Sequence, residues 1–307
     1  MAAKNKSTVL ITGGSGLVGR ALIPQLTGAG FSVRILSRRG KALEGAQSYR
    51  WDIDKGYIEE GAVEDVDHII HLAGENIGDG RWSESRKKSI ISSRVDSARL
   101  LFDAVEKRNP DLKSFTSASA TGYYGAVTSD HVFTEDDPPA GDFAARVCVK
   151  WEEAAGLFRA GGYRTSIIRT GIVLSKEGGM LARVLPTINI HFSPLFGRGH
   201  HYLPWIHIDD LCGIYIRIVK DDNMDGIFNA VSPLPVKYRE FIIALSSAKE
   251  KKIFAPPTPS LPWRILFGEK ASILLEGSRV SADRILNTGY EFIYPDLKQA
   301  LNSLLSR

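Results

Sequence analysis

The stretch VLITGGSGLVGRAL, residues 9–22, runs from an apolar β-branched segment through three glycines into a helical pattern. Gly13 stands where a chain leaving a strand must turn tightly, and Gly16 where the backbone must come close to a pyrophosphate. Gly19 permits close packing of the helix on the strand. Gly14, Ser15, Leu17 and Val18 complete the loop and first turn, whose free N–H groups suit an anion. A strand before the glycines and an amphipathic helix after them make this a dinucleotide-binding loop rather than a plain turn.

The next strand, SVRILS, chooses the dinucleotide. NAD-binding proteins hold the ribose hydroxyls with an acidic residue at its end. Here it continues as RILSRRGKAL, and residues 1–43 contain no Asp or Glu. Ser37, Arg38 and Arg39 offer a hydroxyl and two guanidinium groups, suited to a 2′-phosphate. A solvated basic turn is the plain alternative. The expected cofactor is NADP(H).

Outward from this unit, short strands alternate with longer helical patterns. The strands are STVLIT, SVRILS, DHIIHLA, SFTSAS and TSIIRT, and the helices start near Leu17, Arg86 and Asp142. That alternation predicts an α/β fold, a doubly wound parallel Rossmann sheet. After Thr170 proline and glycine become frequent, as in LFGRGHHYLPW and FAPPTPSLPW, while DGIFNAVS reads as a returning strand. The expected division is a cofactor-binding domain over 1–174, rejoined by 208–232. Residues 175–207 and 233–307 then form a smaller C-terminal substrate-binding region.

The chain has 307 residues and 43% apolar content, enough for a large core, and its net charge of +4 is too mild to argue for nucleic acid. Two cysteines, Cys148 and Cys212, form neither a disulfide framework nor a metal pair. No 18-residue apolar run occurs, and the N-terminal MAAKNK leads straight into a strand. A cytoplasmic protein with a small-molecule substrate and no membrane partner is expected, its oligomeric state left open. His200 and His201 invite a metal reading, but adjacent histidines diverge and lack a carboxylate at ligand spacing, so no metal is expected.

The chain resembles the extended short-chain dehydrogenase/reductases over nearly its whole length. TGGSGLVG is similar to their cofactor loop, DHIIHLAGEN (67–76) to the motif passing adenine and ribose, and SFTSASATGYYG (114–125) to their serine/threonine segment. LAGENI, SASATGYYG, KWEEAA, PWIHIDDL and the tail at 274–301 resemble the subfamily labelled sugar-nucleotide epimerase or cell-division inhibitor. The resemblance implies that Leu72, Ala73 and Gly74 line the cofactor and that Val173 lies near its nicotinamide. It makes Arg94 a cofactor contact, with an exposed helix arginine as the alternative. Asp52 either approaches the adenine or caps a loop.

Family chemistry pairs hydride transfer with proton transfer from a tyrosine, aided by a lysine four residues later. Neither register of DFAARVCVKWEEAA (142–155) supplies that pair. Alignment on Lys150 places Arg146 at the tyrosine position; alignment on Glu152 places Ala144 there and Cys148 at the lysine. The sole Tyr-x-x-x-Lys, Tyr294 to Lys298, reads as structural. The candidate catalytic residues are Ser119, Thr121 and Tyr123, with Tyr124 and Cys148 as further acids and Glu75 and Asn76 as loop or substrate residues. His207 reads as structural, with Asp209 or Asp210 capping a helix from Leu211. Two functions compete: an NADP(H)-dependent oxidoreductase or nucleoside-diphosphate-sugar epimerase, and a non-catalytic NADPH-binding regulator or structural protein.

Overall fold

Val9, Leu10 and Ile11 are wholly buried because β1 (Thr8–Thr12) runs through the interior of an eight-stranded sheet. The computed structural model describes residues 6–40 and 42–306; the N-terminal MAAKN, part of the segment that leads into the first strand, lies outside them. After β1 come α1 (Leu17–Gly28), β2 (Ser32–Ser37), β3 (Gln47–Asp52), β4 (Tyr57–Ile58) and β5 (His68–His71). They are followed by α2 (Glu84–Arg108), β6 (Ser114–Ala120), a 3₁₀ turn over Thr121–Tyr124, β7 (Val132–Phe133), α3 (Phe143–Ala160) and β8 (Arg164–Thr170). Then come β9 (Ile172–Ser175), α4 (Gly179–Asn189), β10 (Leu195–Phe196), β11 (Tyr202–Leu203), β12 (Trp205–His207), α5 (Ile208–Lys220) and β13 (Gly226–Ala230). The tail holds α6 (Tyr238–Ala248), α7 (Ser260–Phe267) and a final helix over Leu297–Leu305, among shorter elements.

The strand order is β13-β8-β6-β5-β1-β2-β3-β4. Every pairing is parallel except β3 with β4. A parallel sheet must be covered on both faces, and two apolar clusters do so. One packs α1, α5, α6 and the final helix around Leu22, Leu211, Phe241 and Leu301. The other packs α2 and α3 around Leu101, Val105, Ala155 and Phe158. Strand order reverses beside β1, which pairs with β2 on one side and β5 on the other. Such a switch point opens a crevice at the carboxyl ends of the strands.

All five sequence-read strands are present, and α2 and α3 begin within two residues of the expected starts. The returning strand is β13, paired with β8 along its length. Beyond β8, β12 pairs with β9, which keeps Trp205–His207 at the carboxyl edge of the sheet; Trp205 is packed inside. Strands β3 and β4 were not anticipated, because QSYRWD alternates weakly at a sheet edge where little is buried. Helix α5 corrects a second expectation. Its cap is His207, whose Nδ1 accepts from the Asp209 N–H, and it begins at Ile208 rather than Leu211. Asp210 instead accepts the backbone N–H groups of Ile293 and Tyr294, tying the tail to α5, and Asp209 accepts from Gln25.

Candidate cofactor and active site

The glycine loop is tightly determined. Gly13 has φ +71°, and a Cβ there would stand 2.8 Å from the carbonyl carbon and oxygen of Leu72. A Cβ on Gly19 would meet the Gly14 Cα at 2.5 Å, and one on Gly14 the Ile35 side chain at 2.9 Å. Gly16 caps α1 without any side-chain partner, its N–H bonded back to Gly13, so no side chain covers the helix N-terminus. Ser15 is exposed, and Leu17 and Val18 half-buried, at the mouth of this cradle. A cavity of about 650 Å³ opens beside it, between Gly16, Arg20, Lys176 and His207.

At the end of β2, Ser37 is half-buried while Arg38 and Arg39 are exposed. Neither arginine has a carboxylate partner among the described residues. Asp52, at the end of β3, accepts the Lys55 N–H and so caps its own turn.

The loop after β5 is held from below by a buried relay. The Ala73 N–H donates to Thr12 Oγ1, which lies 2.8 Å from His71 Nδ1, and His71 Nε2 meets Ser97 on α2 at 3.2 Å. Burial lowers the His71 pKa to about 4, so the ring is neutral and bridges both hydroxyls. Arg94 completes the support. It is 8% exposed, donates to the carbonyls of Ile90 and Glu75, and lies over the Trp151 ring at 4.7 Å. The exposed-arginine alternative is therefore wrong. Burial pulls its guanidinium down to about 10, and its Nε has no hydrogen-bond partner. A Cβ on Gly74 would collide with that guanidinium at 2.9 Å. Glu75 pairs with Arg86 and accepts from Ser89 Oγ, which makes it a tie between this loop and α2. Asn76 accepts the Gly78 N–H within the same loop.

Helix α3 turns the two candidate registers of the missing pair to opposite sides. Arg146 and Lys150 are exposed, whereas Ala144, Cys148 and Glu152 form one inward face. A Cβ on Gly122, in the 3₁₀ turn, would touch Ala144 Cβ at 3.5 Å and Cys148 Sγ at 3.8 Å. This inward face therefore presents a methyl and a thiol to the 3₁₀ turn. Burial, with the Glu152 charge adding to it, pushes that thiol up to about 12, so Cys148 is no thiolate.

Below them lies a charged network absent from the sequence reading. Arg169, opposite Ser119 across β6 and β8, donates from Nε and Nη2 to the two carboxylate oxygens of Glu152, each at 2.9 Å. Ser119 Oγ donates to the same carboxylate at 2.6 Å. Arg169 Nη1 reaches the Tyr124 hydroxyl at 3.0 Å, and that hydroxyl donates to Asn229 at 2.7 Å. Burial opposes charge on Arg169, but Glu152 and Tyr124 outweigh it and raise its pKa. Burial pushes Tyr124 up to about 12, and both its hydroxyl contacts are inside the protein, so it is structural. Of the three catalytic candidates, Ser119 is committed to Glu152. Thr121 and Tyr123 are half-buried, and the described residues give their hydroxyls no partner. The Tyr123 ring packs on the Arg169 guanidinium at 3.4 Å. Val173 is half-buried in β9 against Ile206. Tyr294 packs on His207 at 4.0 Å, and these two side chains line the cavity beside the glycine loop. The network had one readable signal: an arginine directly after the Ile-Ile pair of the strand TSIIRT.

The family described as NAD dependent epimerase/dehydratase matches residues 9–230, and a domain of unknown function, DUF1731, matches residues 258–304. Human epimerase family protein SDR39U1 is 32% identical over 304 residues, spanning 97% of this chain and 99% of the human protein. Epimerase family protein Mb2239 of Mycobacterium bovis is 33% identical over 306 residues, with 98% of each chain covered. A crystal structure of the human protein with NADPH superposes at TM-score 0.86, covering 97% of this chain and 98% of that one at 32% identity. A nucleoside-diphosphate sugar epimerase from Corynebacterium glutamicum gives TM-score 0.78 at 30% identity, over 98% of this chain and 58% of that one. Fold, glycine cradle and full-length similarity agree that this chain belongs to the NAD dependent epimerase/dehydratase family.

Proposed function

We propose that this chain is an NADP(H)-dependent oxidoreductase or epimerase of the extended short-chain type. Its substrate is a hydroxyl- or carbonyl-bearing small molecule, a sugar derivative by family analogy. The observation that carries the reading is the glycine cradle followed at the end of β2 by two exposed arginines, Arg38 and Arg39, with no carboxylate partner among the described residues, where NAD-binding proteins place a carboxylate. The NADPH in the human relative is consistent with that choice. In this reading Gly13 to Gly19 hold the pyrophosphate, and Ser37, Arg38 and Arg39 hold the 2′-phosphate. Leu72, Ala73, Gly74, Arg94 and Val173 line the remainder. When bound, the dinucleotide supplies or accepts a hydride. Residues 175–207 and 233–307 form the substrate-binding region over the carboxyl edge.

Proton transfer is the weak step. With Ala144 and Cys148 on the inward face of α3, no phenol–ammonium pair faces the 3₁₀ turn. Ser119 donates its hydroxyl hydrogen bond to Glu152 and keeps only lone pairs to accept from a substrate hydroxyl. Thr121 and Tyr123 are the hydroxyls left to donate. The same face favours a second reading, an NADPH-binding protein without turnover. NADPH oxidation against aldehydes and ketones, together with product analysis of nucleotide sugars incubated with the NADP⁺-loaded protein (epimerisation consumes no net cofactor), separates the two: the enzymatic reading expects slow, saturable turnover lost in Thr121→Val or Tyr123→Phe. NADPH binding with no turnover on any of them would overturn it in favour of the regulator.

A further inference from the structure

The structure points to an anionic membrane surface as a docking partner, met by a tip that two distant segments build together. This is our own inference and goes beyond the cofactor site. After α4 the chain turns through Ile190, His191 and Phe192, with His191 at φ +60°. Beside it, residues 249–254 leave α6. Phe254 N–H donates to the His191 carbonyl at 3.0 Å, and Ser193 N–H donates back to Phe254 at 3.1 Å. The His191 ring lies 2.9 Å from the Lys252 carbonyl, and Lys251 Nζ donates to Asn189 at 3.2 Å. The tip is therefore stitched in place.

What this frame presents is unusual. Ile190, Phe192 and Phe254 are 71%, 42% and 68% exposed, and the two phenyl rings lie 6.1 Å apart. A stable structure has no use for two phenylalanines and an isoleucine in water at one point. Lys249, Lys251 and Lys252, on the segment that leads to Phe254, have no carboxylate partner among the described residues; Lys252 is exposed, Lys249 and Lys251 half-buried, and Glu250 is the one acid in that run. Residues 237–270 carry seven basic and three acidic side chains, a surplus of four that equals the net charge of the whole chain. Within it, residues 249–252 at the tip hold three lysines and one glutamate, a surplus of two, whereas Arg264 pairs with Glu276 and Lys270 donates to the Gly78 and Gly80 carbonyls.

A second protein copy is a poor occupant. Three partly exposed side chains offer roughly 300–400 Å², short of the about 800 Å² per partner that a standard interface buries. Apolar side chains beside lysines are instead the pattern of shallow insertion between acyl chains with cationic contact to anionic headgroups. The sequence reading set a membrane aside because no long apolar run exists; shallow insertion requires none.

Flotation with phosphatidylcholine vesicles, and with equimolar phosphatidylcholine and phosphatidylserine vesicles, tests this. The protein should float with the anionic vesicles only, and high salt should release it. Phe192→Ser with Phe254→Ser should weaken binding at least tenfold, and each of Lys249→Gln, Lys251→Gln and Lys252→Gln by about fivefold. NADPH affinity should be unchanged in all of them, which shows that they fold. Equal binding to both vesicles, no binding, or undiminished binding by folded variants would overturn the proposal. So would sedimentation showing a dimer that the Phe192→Ser, Phe254→Ser variant abolishes.

Discussion

Replacing Glu152 with Ala should be among the costliest single changes available outside the apolar core. The Arg169 side chain is 2% exposed and Glu152 10%, and two parallel 2.9 Å hydrogen bonds join them. Removing the carboxylate leaves a guanidinium in the interior with only Tyr124 and the Glu135 carbonyl as partners. Breaking one side of such a pair costs about 3–5 kcal/mol, and Ser119 loses its acceptor as well. At about 2.1 cal/mol/K per residue, the 307-residue chain unfolds with an entropy of roughly 0.6 kcal/mol/K. The melting temperature should therefore fall by about 5–8 °C. Calorimetry and urea titration measure it. Glu152→Met with Arg169→Met should recover much of the loss, because no uncompensated charge remains. A Glu152→Ala variant within about 1 kcal/mol of the parent, or a double variant as unstable as the summed singles, would refute the reasoning.

Gly13→Ala should weaken NADPH binding at least tenfold and destabilise the fold, since its φ of +71° and the 2.8 Å approach to Leu72 leave no room for a Cβ; unchanged affinity by calorimetry would contradict this. Burial lowers His68, His71 and His201 to about 4, against about 6.5 unfolded. The native state then binds fewer protons than the unfolded one, so their contribution to stability is present above about pH 6.5 and lost as pH falls through 4. Urea midpoints that stay flat across that window would count against it. Ala144→Tyr with Cys148→Lys should raise any turnover by roughly 10²–10⁴-fold, read as NADPH oxidation at saturating substrate. A parent already working at about 10 s⁻¹, with the variant no faster, would show that another acid serves the site.

The central strands, the glycine loop and the helices flanking them were legible because each follows a local rule: β-branched runs bounded by glycine, a helix face of apolar residues, a serine or aspartate cap. Strands β3 and β4 were not, because an edge strand buries too little to impose a pattern. The start of α5 was misplaced because two aspartates looked like caps, while their carboxylates serve contacts 83 and 184 residues away. At the site, sequence placed Ala144 and Cys148 in one of two registers, and the fold turns the other, Arg146 and Lys150, outward. The Ser119–Glu152–Arg169 network joins three elements, and no local spacing announces such a meeting. Arg94 was expected at the cofactor or, alternatively, in solvent; packing against Trp151 removes the second alternative.

Calorimetric titration of the parent protein and of Arg38→Ala with NADPH and with NADH tests the central claim most directly. A charge-assisted contact to the 2′-phosphate is worth about 10- to 100-fold in affinity. The parent should therefore bind NADPH at least tenfold more tightly than NADH, and Arg38→Ala should erode that preference while leaving NADH affinity unchanged. Equal affinity of the parent for both cofactors, or an equal loss for both in the variant, would contradict the account.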